Sequence, residues 1–135
     1  MNTFPDCGHQ AASPGQCILI VEDDPILSIM LEDMLSDIGY RCIKAGRMPK
    51  AVSLAATADI DGAILDLNLA GVESYPVADE LRCRGIPFVF STGSSAMDVR
   101  EDYRAWPTLQ KPFTDDELQQ ILASVMAPHT AMATG

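Results

Sequence analysis

Short, uninterrupted apolar runs alternate with amphipathic stretches along this chain, and the first run sets the pattern. Cys17 to Val21 (CILIV) contains no charged or hydrogen-bonding side chain beyond its thiol, as expected of a strand covered on both faces. Asp24 then precedes Pro25, a carboxylate able to accept from free N–H groups followed by the residue tolerated at the first helical position. Ile26, Ile29, Met30, Asp33, Met34 and Ile38 keep near-helical spacing, apolar except at Asp33, until Gly39 stops the helix. Tyr40 to Ala45 reads as a second strand and Pro49 to Ala56 as an alanine-rich second helix. Gly62 to Leu65 (GAIL) predicts a third buried strand ending at Asp66, and Pro76 to Cys83 a helix closed by Arg84-Gly85-Ile86-Pro87.

Phe88 to Phe90 forms the fourth predicted strand, running into Ser91-Thr92-Gly93. Apolar positions are sparse from Ser95 to Arg104, so any helix there should be short and loosely held. Thr108 to Gln110 reads as a brief fifth strand before Lys111-Pro112. Thr114-Asp115-Asp116-Glu117 matches a capping box, and Leu118, Ile121, Leu122 and Val125 give the helix behind it one apolar face. Five strands alternating with helices imply right-handed crossovers and a parallel sheet covered on both sides, an α/β architecture. Residues 17–126 should form the domain, with residues 1–16 and 127–135 as tails.

Composition narrows the partners. The 135 residues suit one compact domain, and 47% hydrophobic residues are enough for a core. Nine Lys and Arg against 19 Asp and Glu give a net charge of −10, which repels phosphate backbones and anionic lipid and argues against nucleic acid. The apolar runs are strand-sized, far below the roughly 18 residues of a membrane-spanning helix. Met1 to Gln16 lacks the basic start and apolar stretch of a signal peptide, so a cytoplasmic protein is expected. Cys7, Cys17, Cys42 and Cys83 show no CxxC spacing and read as buried thiols, while Cys7 with His9 offers too few ligands for a metal site.

In doubly wound sheets chemistry gathers at the carboxyl ends of the strands. The polar residues there are Glu22 and Asp23 after the first strand, Asp66 after the third, Thr92 after the fourth and Lys111 after the fifth. All five should point into one cleft. Three converging carboxylates repel unless one is protonated or a cation joins them, and Mg2+, which takes oxygen ligands and bridges carboxylates to phosphate, suits the place. Asp66 would then serve as a nucleophile toward phosphorus, with Lys111 and the Thr92 hydroxyl binding the phosphoryl oxygens.

The stretches ILIVEDDP, AILDLNLAG, VFSTGS and LQKPF together resemble the receiver domain of bacterial response regulators, over about Cys17 to Met126. The resemblance implies a flavodoxin-like (βα)5 fold with strand order 2-1-3-4-5, and a phosphoryl group accepted from a histidine kinase or histidine phosphotransfer protein. Carried onto matching positions, it makes Asp66 the phosphoacceptor, with Mg2+ held by Glu22, Asp23, Asp66 and the backbone carbonyl of Asn68. Thr92 becomes the switch hydroxyl, Lys111 the phosphate-binding lysine, and the Lys111-Pro112 bond is expected to be cis. Thr108 stands where many relatives carry a Tyr or Phe that turns inward on activation. The segments PFVFSTGSS and TLQKPF are also similar to a subgroup named for a Phe-Ala-Thr-Gly-aromatic motif, with Ser91 in place of the Ala and Ser94 in place of the aromatic.

The expected role is therefore a single-domain response regulator, not a turnover enzyme, that signals to a protein target or acts as a phosphate sink. No DNA-binding module is expected after the last helix. Two other readings are a degenerate receiver used as an unphosphorylated scaffold, and a phosphohydrolase with Asp66 as nucleophile. The second is opposed by Asp66-Leu67-Asn68, because dehalogenase-like phosphatases carry Asp-x-Asp, whose second acid protonates the leaving group.

Overall fold

A computed structural model describes residues 15–93 and 99–126. The chain runs β1 (Cys17–Val21), α1 (Pro25–Ile38), β2 (Arg41–Ala45), α2 (Met48–Thr57), β3 (Gly62–Asp66), β4 (Asn68–Leu69), β5 (Val72–Glu73), α3 (Tyr75–Arg84), β6 (Phe88–Thr92), a 3-10 turn (Glu101–Tyr103), β7 (Thr108–Gln110) and α4 (Asp115–Met126). Five parallel strands form one sheet in the order β2-β1-β3-β6-β7. Counted among themselves these strands follow the order 2-1-3-4-5, the flavodoxin-like arrangement.

Alternation along the strands divides the core into two layers. Leu19, Val21, Ala63, Leu65, Phe88 and Phe90 pack with α2 and α3 residues such as Ala51, Ala55, Val77 and Leu81. Ile18, Ile20, Ile64, Val89 and Leu109 pack on the other side with Leu31, Leu35, Leu118 and Leu122. β1, β3 and β6 are buried throughout, which is why they read as continuous apolar runs.

The helix boundaries follow local chemistry. Asp24 accepts from the N–H groups of Ile26 and Leu27, and Gly39 closes α1 in the left-handed conformation at φ 113°. Thr114 and Glu117 exchange reciprocal hydrogen bonds of 3.1 and 2.8 Å at the start of α4, the predicted capping box. The Lys111-Pro112 bond is cis.

Two expectations need correction, and two features were not foreseen. The fully buried apolar residues of α1 are Leu31 and Leu35, with Leu27, Met34 and Ile38 packed partly buried beside them, whereas Ile26, Ile29 and Met30 are 69%, 53% and 52% exposed, a division that helical spacing alone does not make. Cys83 is exposed and Cys42 only half-buried, so the thiols are not uniformly core residues. A two-residue hairpin, β4-β5, follows β3 unforeseen; its turn places Ala70 at φ 52° and Gly71 at φ 86°, the left-handed pair that matches strand twist. The segment from Ser95 to Arg104 forms no described α-helix, and its second half is not loosely held.

Val99 and Tyr103 are buried there, and Tyr103 stacks on Tyr75, meets Phe88, Phe90 and Trp106 edge-on, and donates from its hydroxyl to Asp79 at 2.6 Å. A few aromatic anchors replace the missing apolar periodicity. Residues 94–98, both expected tails except Gly15 and Gln16, and Cys7 with His9 lie outside the described residues.

Ile20 is fully buried in β1. Its replacement by alanine is expected to cost about 2–5 kcal/mol; urea unfolding should show a lower midpoint with an unchanged slope.

Candidate functional site

The site grows from the ends of β1, β3, β6 and β7. Parallel register sets Val21 beside Leu65 and Asp66 beside Ser91, so the residues that leave these strands emerge along one rim of the sheet. Glu22 is held at the rim because its N–H donates to Ala45 O at 3.1 Å. Its carboxylate in turn accepts from the Asp24 N–H at 3.1 Å, which ties the side chain to the start of α1.

Carboxylate oxygens of Glu22, Asp23 and Asp66 lie within 4.8 Å of one another; Glu22 and Asp66 are buried and Asp23 is exposed. Lys111 reaches between the two buried acids, its Nζ 3.1 Å from Glu22 Oε1 and 3.2 Å from Asp66 Oδ2. Its reach is fixed from behind, where the Lys111 N–H donates to Thr92 O at 2.7 Å. Thr92, the last residue of β6, is buried at the same rim.

Asp66 is further held by the hairpin that follows it. Asn68 N–H donates to Asp66 Oδ1 at 3.2 Å, and Asn68 Oδ1 accepts from Gly71 N–H at 2.8 Å. The two-residue spacing of Asp66 and Asn68 is that of an Asx turn, a signal in the sequence that went unread. Among the described residues, the buried hydroxyls of Ser74 and Ser91 have no hydrogen-bond partner.

The electrostatics follow from crowding. Burial, then the neighbouring Glu22 charge, pushes Asp66 from 3.8 up to about 6, with Lys111 and the Asn68 N–H opposing the rise. Burial alone would lower Lys111, but Asp66 and Glu22 outweigh it and hold the ammonium above its usual range. Oxygen-only donors at this spacing suit a hard cation such as Mg2+. What the arrangement provides is a buried carboxylate at a cleft mouth, beside a lysine and room for a divalent ion.

Comparison with known proteins names the family. The model of the response regulator receiver domain matches residues 18–123. The chain belongs to this family. The receiver domain is 30% identical over 111 residues to the sensor histidine kinase RcsC of Salmonella typhi, covering 78% of this chain and 12% of the kinase. It is thus far shorter than the full length of that relative.

Among solved structures, the receiver is similar to SdrG from Sphingomonas melonis Fr1, with 43% identity, TM-score 0.72, and 84% and 98% of the two chains covered. SdrG has also been solved in a BeF3-activated conformation. The receiver domain of sensor histidine kinase PA1611 from Pseudomonas aeruginosa PAO1 matches with 29% identity, TM-score 0.70 and coverage of 84% and 98%, and carries a magnesium ion coordinated in its active site cleft. Five parallel strands in the order seen here, with acids at the ends of β1 and β3, thus constitute a receiver domain of two-component signalling. No helix among the described residues is long and apolar enough to cross a membrane.

The raised Asp66 value has a consequence for stability. A carboxyl that binds its proton more tightly folded than unfolded loses stability as pH rises between its two values. The metal-free receiver should therefore lose on the order of 2–3 kcal/mol from this group between about pH 4 and pH 6. Chemical denaturation at stepped pH should show that fall, and Asp66→Asn should flatten it.

Proposed function

We propose that this receiver domain is a phosphoacceptor switch in which Asp66 takes a phosphoryl group from a phosphohistidine. The observation that carries the reading is the position of Asp66: buried, next to a second acid, and 3.2 Å from Lys111 Nζ. An Asp66 oxygen attacks phosphorus as the P–N bond to the donor imidazole breaks, and the imidazole leaves with the electron pair and takes up a proton from solvent. Lys111 exchanges part of its contact with Asp66 for one to a phosphoryl oxygen, and the Thr92 hydroxyl donates to another.

Glu22, Asp23 and Asp66, with the Asn68 carbonyl, would hold Mg2+. The ion supplies charge neutralisation for the transferring group. The oxygen donor set fits it, and the similar receiver of PA1611 holds magnesium in its active site cleft. An unphosphorylated scaffold would have no need for buried, mutually repelling acids held by one lysine, since burying charge is costly unless it is used. Phosphohydrolase turnover is disfavoured by Asn68, which cannot protonate a leaving group.

The donor is a histidine kinase or a histidine phosphotransfer protein, and it has to cover the cleft mouth to reach Asp66. Beside that mouth lies a groove of about 350 Å³ lined by Leu27, Met30, Met34, Lys111, Pro112 and Phe113. Ile26 and Ile29, on the same helix as Leu27, Met30 and Met34, are also exposed. An apolar surface next to the reacting carboxylate suits a helical donor that buries it while presenting its histidine.

Acetyl phosphate with Mg2+ should label the full chain once, and Asp66→Asn should abolish the label; labelling that survives this change overturns the proposal. Ile29→Glu should lower transfer from the cognate phosphohistidine protein about tenfold or more while acetyl phosphate labelling stays at the wild-type level. Equal loss with both donors would move the role of Ile29 from docking to folding.

A further inference from the structure

Ser91 is 1% exposed, and its hydroxyl has no hydrogen-bond partner among the described residues. A buried, unsatisfied hydroxyl is costly and uncommon in a native core, and a ligand that arrives later is one way it is retained. Its position identifies that ligand. In the β3-β6 ladder Ile64 pairs with Val89 and Asp66 with Ser91. Ile64 and Val89 both pack in the layer shared with α1 and α4. By strand alternation the side chains of Asp66 and Ser91 leave the sheet on that same face, as direct neighbours about 5 Å apart.

On its other side Ser91 pairs with Leu109, two residues before Lys111. The hydroxyl is therefore flanked by the strand that carries Asp66 and the strand that leads to Lys111. The two Asp66 oxygens already accept from Asn68 N–H and Lys111 Nζ. A phosphoryl group on Asp66 would bring three further acceptor oxygens to a donor that lacks one. Thr92, the next residue, leaves β6 on the opposite face by the same alternation, so the two hydroxyls flank the strand end from both sides.

We infer that Ser91 is a second phosphoryl-binding hydroxyl of this cleft, donating to the group on Asp66 and prolonging its lifetime. The inference rests on the phosphoacceptor reading above. No bond to Ser91 forms or breaks; its O–H gains an acceptor.

The test uses the full chain, labelled with radioactive acetyl phosphate and Mg2+, then freed of donor and followed for release of phosphate. Ser91→Ala should still take the label and should melt no lower than wild type, because it removes an unsatisfied buried group. It should release phosphate about tenfold faster, the effect of losing one hydrogen bond to a charged oxygen. Its affinity for beryllofluoride with Mg2+, read from the single tryptophan, Trp106, should fall in parallel. Ser91→Thr, which keeps the hydroxyl, should hold the wild-type lifetime within about twofold. Wild-type lifetime and beryllofluoride affinity in Ser91→Ala, or a Ser91→Thr chain as short-lived as Ser91→Ala, would overturn the inference while leaving Asp66 labelling intact. A wild-type chain that takes no label would instead overturn the phosphoacceptor reading itself.

Discussion

The contact on which the site depends is the one Lys111 makes with Glu22 and Asp66 at 3.1 and 3.2 Å. Burial first and the neighbouring Glu22 charge second hold Asp66 above its ordinary value, and Lys111 opposes both. The pairing of β1 with β3 and of β6 with β7 brings the three groups together from distant parts of the sequence. The acidic cluster that remains suits a divalent cation, and on the phosphoacceptor reading that cation would offset the charge an incoming phosphoryl group brings. A structure that stays electrostatically unsatisfied until it is loaded is a reasonable resting state for a switch.

The surroundings connect this rim to the rest of the fold. Asp66 is joined through Asn68 to the β4-β5 hairpin, which leads into α3, where Tyr75 stacks on Tyr103 and its hydroxyl accepts from the Arg100 N–H at 2.6 Å. Arg100 and Arg82 both lie over the Tyr103 ring, at 5.5 and 5.4 Å, and reach Tyr75 at 4.4 Å and Trp106 at 4.9 Å respectively. β7 carries Thr108 and no aromatic residue, and Tyr103 and Trp106 sit on the chain between β6 and β7.

Much of this was legible in the sequence. Runs such as CILIV and GAIL gave the buried strands because a strand covered on both faces has no polar side to show. Asp24-Pro25 and Thr114 to Glu117 marked helix starts because caps are local chemistry. The meeting of Glu22, Asp66 and Lys111 followed from topology alone. What stayed hidden depended on tertiary context. Periodicity could not say which apolar stripe of α1 faces the sheet, since Leu31 and Leu35 compete with Ile26, Ile29 and Met30 at the same spacing. The hairpin after Asp66 was too short to carry a period, and Tyr103 holds its segment through stacking with residues far away in sequence.

The proposed switch stands on the chemical identity of one residue. Borohydride reduction of the chain after treatment with acetyl phosphate and Mg2+ converts an aspartyl phosphate to homoserine, which peptide mass spectrometry locates. Homoserine at position 66 and at no other acid is the result predicted here. Conversion at Glu22 or Asp23, or no conversion in a chain that is folded and loaded with Mg2+, would contradict it.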